Sequence, residues 1–257
     1  MSLWTSIELA ACLAMENHGI VPSGTSAVIK SAVYFDDASV GGSGRTFSRL
    51  SLRRVADLEK TTHHDFIAFL AHLEELAGDP ARWIHHGMTS SDVVDTALAI
   101  QIREVSDLLL QRIFKFSESL ANRASEHAST PIVGRSHGMH AEPTTVGFIL
   151  AGHRAEVLRA YYHLKTSSDG IGVGKLSGAV GTYAHFPPEV EEEVMHSFGL
   201  RPESVSTQVV ARDRHAAWVQ SLALVACSIE RIALTVRHWQ RTEVGEAEEG
   251  FKPGQMG

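Results

Sequence analysis

The stretch Gly87-Met88-Thr89-Ser90-Ser91-Asp92 opens a long amphipathic segment, and this combination decides the fold. Thr, Ser and Asp are preferred at helix N-termini, and neither Gly nor Pro occurs from Thr89 to Thr130. The pattern predicts a helix of about 35 residues, roughly 50 Å long. Apolar residues recur behind the turn at steps of three or four, so one stripe is expected to face inward: Leu98, Ile102, Val105, Leu109, Ile113, Phe116 and Leu120.

Two further segments carry stripes of the same kind. One is predicted to run from about Thr144 to Thr166, and the other has apolar residues at steps of four and three from Trp218 to Trp239. This spacing is typical of helices that pack at shallow angles in a bundle, and strand-like alternation is scarce. The predicted fold is therefore all-α, with a small helical N-terminal domain at residues 1–86 and a bundle of long helices at residues 87–257. Stripes of this length need partners, so self-association is expected.

Composition limits the classes of function. The 257 residues are 44% hydrophobic, which is ordinary for a globular protein. A net charge of −7 argues against a general nucleic-acid surface, and the acidic runs at 189–193 and 243–249 are predicted to be solvated helix faces. No run approaches the unbroken apolar length of a membrane span, and the N-terminus does not resemble a signal peptide, so a cytoplasmic location is expected. Cys12 and Cys227 indicate neither a disulfide framework nor a zinc site.

The Thr89 turn is a candidate anion site. The first turn of a helix has amides without intrahelical partners and the positive end of the helix dipole, and Thr89 and Ser90 add hydroxyl donors. Such a turn suits a carboxylate or a phosphate. The alternative interpretation is an ordinary N-cap, since these residue types cap helices generally.

Irregular segments separate the predicted long helices at 127–143, 170–188 and 201–214, and chemistry is expected there. Imidazole titrates near neutrality and suits acid–base catalysis. A metal site is the competing interpretation, but His-Glu-x-x-His and ligand-spaced Cys pairs do not occur. Three pairs of histidines lie at predicted loops or helix entries: His63 with His64, His85 with His86, and His137 with His140.

The glycine-rich stretch at 170–182 is superficially like a phosphate-binding loop. Lys175 is not followed by Ser or Thr, and no strand is predicted before it, so the phosphate-loop pattern fails. Its glycines more plausibly allow close approach of the backbone to a ligand or a neighbouring helix. Ser177 is predicted to add a hydrogen bond there.

Four ordered blocks together resemble the fumarase/aspartase superfamily and, within it, the adenylosuccinate lyase family. The Thr-Ser-Ser-Asp turn separates this family from argininosuccinate lyases and fumarases. The blocks are HHGMTSSDVVDTA at 85–97, GRSHGMHAEPTT at 134–145, GKLSGAVGTYA at 174–184, and STQ at 206–208 with RDRHA at 212–216.

The resemblance implies the superfamily lyase fold and a C–N lyase that releases fumarate by anti β-elimination. Its substrates would be adenylosuccinate, which gives AMP, and succinylated aminoimidazole carboxamide ribotide in purine nucleotide biosynthesis. It implies no metal and no organic cofactor, a small anionic substrate as partner without nucleic acid or membrane, and a homotetramer. Two alternatives remain open: another lyase or a cycloisomerase of the superfamily, and a non-catalytic helical oligomerisation fragment.

The resemblance also assigns roles to residues. His137 matches the histidine that donates a proton to the leaving nitrogen, and Thr89 and Ser90 match the pair that binds a carboxylate. His63 stands where relatives usually carry Arg. The remaining matches are substrate-binding positions: His63, His64, Asp65, His85, Lys175, Ser177 and Gln208.

Two parts of the family pattern are not found in these 257 residues. One is an N-terminal segment with a phosphate-contacting Arg or Tyr, and the other is the glycine-rich loop that carries the general-base Ser. The expectation is therefore a sequence truncated at both ends, with a bundle domain incomplete at its C-terminus. A polypeptide of these residues alone is expected to be inactive or nearly so.

Overall fold

The computed structural model of the protein describes residues 1–36, 46–250 and 252–256. Helices dominate these residues, which confirms the all-α prediction. A 3-10 helix also spans Asp79–Trp83. The α-helices are α1 (Ser2–Asn17), α2 (Thr25–Val33), α3 (Leu52–Thr62), α4 (Asp65–Ala77), α5 (Ser90–Glu126), α6 (Val146–Ile171), α7 (Pro188–Ser197) and α8 (Asp213–Trp239).

Short strands pair in three two-stranded sheets within the described residues. Strands β1 (Tyr34–Asp36) and β2 (Thr46–Ser48) are antiparallel, and β5 (Val173–Gly174) and β6 (Arg201–Pro202) are parallel. Strands β3 (Pro131–Ser136) and β4 (Met139–Thr145) form a hairpin where an irregular segment was predicted. The hairpin is exposed along most of both strands, so its sequence lacks the apolar alternation that marks a half-buried strand.

The chain divides into two compact units. The first unit comprises Met1–Ile102 and Gly172–Ala211, and the second comprises Arg103–Ile171 and Arg212–Gly257. The boundaries of these units differ from those of the predicted domains at 1–86 and 87–257. That division of the chain into domains stays a prediction. The physical reason is that polar side chains in the first turns of α5 bind the backbone amides of Lys175, Ser177, Gly178 and Val210.

Helices α1, α2 and α4 build the core of the first unit around aromatic residues. The indole of Trp4 lies 5.2 Å from the ring of Phe66 and 5.5 Å from that of Phe69. Helix α4 ends where Gly78 adopts a φ of +64°, because glycine enters this conformation without steric cost. The fully buried side chains here include Ile7, Met15, Ile29, Phe66, Phe69 and Leu73.

The second unit packs α6 and α8 against the later turns of α5. The inward stripe of α6 is confirmed, since His153, Val157, Ala160 and Leu164 are buried.

The stripe of α5 is partly wrong. Leu98 and Val105 are 36% and 47% exposed. Ser106 and Ser117 are fully buried instead, and Trp218 Nε1 donates to Ser106 Oγ at 2.8 Å. The hydroxyl is retained inside because it satisfies the indole N–H.

Helix α8 is the one helix of the described residues that is long and apolar enough to cross a membrane. It qualifies by length and composition alone, with a mean hydropathy of 1.5 over its most apolar window. The polar residue Ser228 interrupts its run of apolar residues. Only 11% of that window is buried. Ile229 and Val236 are 50% and 40% exposed, so much of the predicted stripe is not covered within the unit.

Candidate functional site

The turn that opens α5 combines a cap with accessible donors. Thr89 N–H donates to Asp92 Oδ2 at 2.8 Å, and Asp92 N–H donates to Thr89 O at 2.9 Å. The side chain of Asp92, three residues on, thus binds the amide of Thr89 as in one half of a capping box, and the second bond is a backbone turn. Thr89 and Ser90 are both half-buried. The capping interpretation therefore holds for Asp92, while Thr89 and Ser90 keep part of their surface exposed.

Asp92 lies at the centre of a buried network. Its carboxylate accepts from the amides of Ser177 at 3.1 Å and Gly178 at 3.2 Å, in addition to that of Thr89. Its fourth partner is the ammonium group of Lys175, and neither side chain of this ion pair is exposed. A buried carboxylate is tolerable only with such partners. The network therefore fixes the glycine-rich loop beneath the Thr89 turn.

Lys175 and Ser177 were predicted to contact substrate, and the structure buries both completely. Lys175 Nζ also donates to Gly178 O at 3.3 Å, and its backbone N–H and C=O both bind Thr96 Oγ1 at 3.1 Å. Ser177 Oγ lies 2.9 Å from Ser206 Oγ. Their direct contact with a ligand stays a prediction. In the observed contacts, Lys175 and Ser177 bind other residues of the protein and help to hold the glycine-rich loop against the start of α5.

Glycines in this region permit close backbone approach, as the sequence analysis predicts. A Cβ on Gly174 would lie 2.5 Å from Met195 Sδ and 2.8 Å from Thr96 Oγ1. A Cβ on Gly181, whose φ is +79°, would collide with the carbonyl oxygen of Ser206. Both positions therefore require glycine for steric reasons.

Glu191 departs from its predicted place on a solvated face, because it is 2% exposed. Its carboxylate accepts from Leu176 N–H at 2.6 Å and from the hydroxyl of Tyr183 at 2.7 Å. Burial raises the pKa of the Glu191 carboxyl group above its usual value. Burial, followed by the bond to Glu191, also raises the pKa of Tyr183. Glu191 therefore anchors the loop on which Lys175 and Ser177 lie.

His85 is held by a residue that the sequence analysis missed. Glu8 on α1 has no exposed surface. Its Oε2 accepts from the backbone N–H of His85 at 2.8 Å, and its Oε1 lies 2.7 Å from His85 Nδ1. The only sequence signal for this contact is an acidic residue among the apolar residues of α1.

The block His63-His64-Asp65 connects α3 to α4 and is exposed. His63 has a φ of +51° and ends α3, whereas His64 caps α4 with Nδ1 accepting from the amides of Phe66 and Ile67 at 3.2 and 3.4 Å. In its neutral form His64 therefore carries its proton on Nε2. The ring of Phe66 lies 4.9 Å from that of His85, so the block lies beside His85.

Gln208 is exposed on a loop of the same unit. The amide of Val210, two residues on, donates to Asp95 Oδ2 at 2.8 Å and ties this loop to α5. The first unit thus contains nine of the ten predicted site residues: His63, His64, Asp65, His85, Thr89, Ser90, Lys175, Ser177 and Gln208.

His137 belongs to the second unit, where it lies at the tip of the β3–β4 hairpin. His137 and Gly138 form a two-residue loop between paired Ser136 and Met139. Their φ values of +56° and +74° are those of a type I′ turn. The turn leaves the His137 side chain exposed.

A cavity of about 600 Å³ also lies in the second unit, between the hairpin and the end of α8. Arg135 in its wall binds Glu246 through two hydrogen bonds of 2.6 and 2.9 Å. Throughout the described ranges, no group of three or more His, Cys, Asp or Glu side chains is placed to hold a metal ion.

Comparisons with known proteins agree with one another. Residues 32–257 match the family described as Lyase. An adenylosuccinate lyase of Synechocystis sp. is 45% identical over 257 residues, which are all of this chain and 56% of that protein. An adenylosuccinate lyase of Thermotoga maritima is 41% identical over 254 residues, which are 99% of this chain and 56% of that protein.

The fold is also similar to that of solved structures in the same group of enzymes. The crystal structure of a fumarate lyase from Mesorhizobium sp. BNC1 matches with a TM-score of 0.83 and 30% sequence identity, covering 95% of this chain and 55% of that one. The chain therefore spans little more than half the length of each of these proteins.

Proposed function

This chain belongs to the lyase family that matches its residues 32–257, and on that premise we propose that it functions in an adenylosuccinate lyase. The reaction is anti β-elimination of fumarate from adenylosuccinate, which leaves AMP, and from succinylated aminoimidazole carboxamide ribotide. Both substrates are anionic and belong to purine nucleotide biosynthesis. The 45% identity to an adenylosuccinate lyase over the whole chain supports this choice among lyases.

The observation that carries the proposal is the half-buried Thr89–Ser90 turn at the start of α5. In β-elimination a base removes a proton from the carbon beside a carboxylate, and negative charge develops on that carboxylate. Hydrogen-bond donors placed at the developing charge lower the barrier. The hydroxyls of Thr89 and Ser90, the first-turn amides and the helix dipole supply such donors.

The Asp92–Lys175 pair makes this turn suitable for an anion. A lone carboxylate at Asp92 would oppose a second anion at the same helix end. The ammonium of Lys175 offsets that charge within the buried network, and three backbone amides hold the carboxylate in place. The donors are thereby fixed before substrate binds, so little reorganisation accompanies the reaction.

His137 is proposed as the proton donor to the leaving nitrogen, and His63, His64, Asp65, His85 and Gln208 as substrate-binding residues. The support for His137 is the family match together with its exposed position at the hairpin tip. The support for the others is their exposed or half-buried position in the first unit, where His85 and the His64 block lie near one another. No cofactor is included in the proposal.

A homotetramer in the cytoplasm is part of the same proposal. Exposed apolar side chains on α8, including Val219, Leu224 and Ile229, favour burial against further helices. We expect Ile229→Glu to lower the mass measured by size-exclusion chromatography with light scattering. Gln220→Glu adds the same charge at an exposed polar position of the same helix and should leave the mass unchanged.

The test of the function is the release of fumarate and AMP from adenylosuccinate by the protein expressed from its complete gene. Fumarate is followed by its ultraviolet absorbance and AMP by chromatography. Argininosuccinate and muconate derivatives serve as control substrates. Turnover of a control in place of adenylosuccinate would indicate another lyase or a cycloisomerase, and failure to bind any of them would indicate an oligomerisation fragment.

A further inference from the structure

The geometry of the contact between Glu8 and His85 determines which ring nitrogen of a neutral His85 carries the proton. The carboxylate binds two groups of one residue, since Oε2 accepts from the His85 amide at 2.8 Å and Oε1 lies 2.7 Å from Nδ1. A carboxylate can only accept hydrogen bonds when ionised. Opposite an ionised Glu8 carboxylate, a neutral His85 therefore carries its proton on Nδ1, which leaves Nε2 without one.

Several features keep this imidazole in place. His85 has a φ of +61°, which is uncommon for a residue with a side chain and costs free energy. The bond from its amide to Glu8 and the ring contact with Phe66 at 4.9 Å offset that cost. Glu8 is fully buried, while the His85 side chain keeps 17% exposure. The carboxylate is thus inaccessible to a ligand, and the imidazole is accessible.

His85 lies four residues before Thr89, in the segment that leads into α5. The segment is itself ordered, because Met88 N–H donates to His85 O at 3.2 Å. Glu8 therefore orients a side chain of the segment that leads directly into the Thr89–Ser90 turn. In the described part of the chain, Nε2 of His85 has no hydrogen-bond partner.

We propose that Glu8 is a positioning residue, which holds neutral His85 in the Nδ1–H tautomer and so presents Nε2 to the substrate as a hydrogen-bond acceptor. The role of His85 rests on the proposed function, whereas the tautomer does not. Glu8 itself touches no substrate. It acts through the histidine, as carboxylates behind functional imidazoles do in other enzymes.

The test is nitrogen NMR of the histidine-labelled protein at a pH where His85 is neutral. The signal of His85 is identified by its loss in His85→Gln. Nδ1 is expected to be protonated and Nε2 not.

In Glu8→Gln the amide oxygen can still accept from the His85 amide, but its NH₂ group faces Nδ1. Nδ1 then becomes the acceptor, and the proton moves to Nε2. A residue that only supports the backbone would not change the tautomer on this substitution.

Glu16→Gln is the matched control. Glu16 lies on the same helix and also accepts two backbone amides, those of Gly24 and Ser26. It contacts no histidine ring, so the His85 signals should be unchanged. An Nε2–H tautomer in the unsubstituted protein, or an unchanged tautomer in Glu8→Gln, overturns the proposal. If Glu8→Gln does not fold, the tautomer of the unsubstituted protein decides.

Activity separates this inference from the proposed function. Where the complete protein releases fumarate from adenylosuccinate, Glu8→Gln should lower turnover by about tenfold or more, since the wrong tautomer presents a donor in place of an acceptor. Equal turnover in both proteins would remove the positioning role. Absence of fumarate release from the unsubstituted protein would count against the function alone, because the tautomer is measured without substrate.

Discussion

The ammonium group of Lys175 pairs with the carboxylate of Asp92 at a point where neither side chain is exposed. Asp92 lies in the first turn of α5, and Lys175 lies 83 residues later in the segment that follows α6. This pair connects the Thr89–Ser90 turn to the glycine-rich loop. It explains why Lys175, which is predicted from the sequence to bind substrate, is buried and pairs with a carboxylate of the protein itself.

Lys175→Met should lower the free energy of unfolding of the first unit by about 3–5 kcal/mol, because it leaves a buried carboxylate without its counter-charge. Urea unfolding followed by circular dichroism measures this. Lys60→Met is the control, since Lys60 pairs with Asp57 on the surface and its loss should not shift the midpoint. A midpoint for Lys175→Met equal to that of the control would contradict the structural role.

Thr89→Val and Ser90→Ala should each lower kcat/KM for adenylosuccinate by about 2- to 10-fold, the value of one lost hydrogen bond. Valine keeps the shape of threonine, so a change in the kinetics of Thr89→Val can be attributed to the missing hydroxyl group. The complete protein is assayed by fumarate release. Ser119→Ala removes an exposed hydroxyl from the same helix and should change nothing; an equal effect there would rule out a specific anion site.

His137→Asn should lower turnover by about 10²- to 10⁴-fold with a smaller change in Michaelis constant, because proton transfer belongs to the transition state. Asparagine tolerates the positive φ of this position better than alanine does, so the hairpin turn is kept. His127→Asn, at a half-buried histidine after α5 in the same unit, is the control. Weakened binding with unchanged turnover would reassign His137 to ligand positioning.

The stability of the second unit should fall as pH decreases through the range below about 6.5, the usual pKa of histidine. Burial of His153 lowers its pKa, and the charge of Arg231 lowers it further against the opposing effect of Glu156. The unfolded chain therefore binds a proton at a pH where the folded unit does not, and unfolding is favoured there. Above the usual pKa this contribution is fully present.

The measurement is the urea midpoint of the second unit between about pH 5 and 8. His153→Gln should flatten its pH dependence, whereas His163→Gln, at an exposed histidine of the same helix, should leave it unchanged. Parallel pH profiles for the unsubstituted protein and His153→Gln would show that His153 does not carry the effect.

Much of the fold could be predicted because helical periodicity is a local property. The recurrence of apolar residues at three and four positions places α5, α6 and α8 to within a few residues, since it reflects neighbours on one helix face. The capping residues before α5 and the glycine after α4 also act within one turn. The predicted site blocks were found because each is a short contiguous stretch.

The hairpin, the exposure of Val105 and the burial of Glu191 could not be predicted in the same way. Each depends on which surface a distant segment covers. Glu8 and His85 are 77 positions apart, and no periodicity relates two such positions. The hairpin carries almost no apolar alternation because little of it is buried.

The sequence by itself determined the helices, their apolar faces, the donors at the start of α5 and the family to which the chain belongs. Only the tertiary structure decided which charges are buried and what each one binds. Asp92 with Lys175, and Glu8 with His85, are examples. The reason is physical: local preferences are set by neighbouring residues, whereas the free energy of a buried charge depends on donors and acceptors that folding brings from elsewhere in the chain.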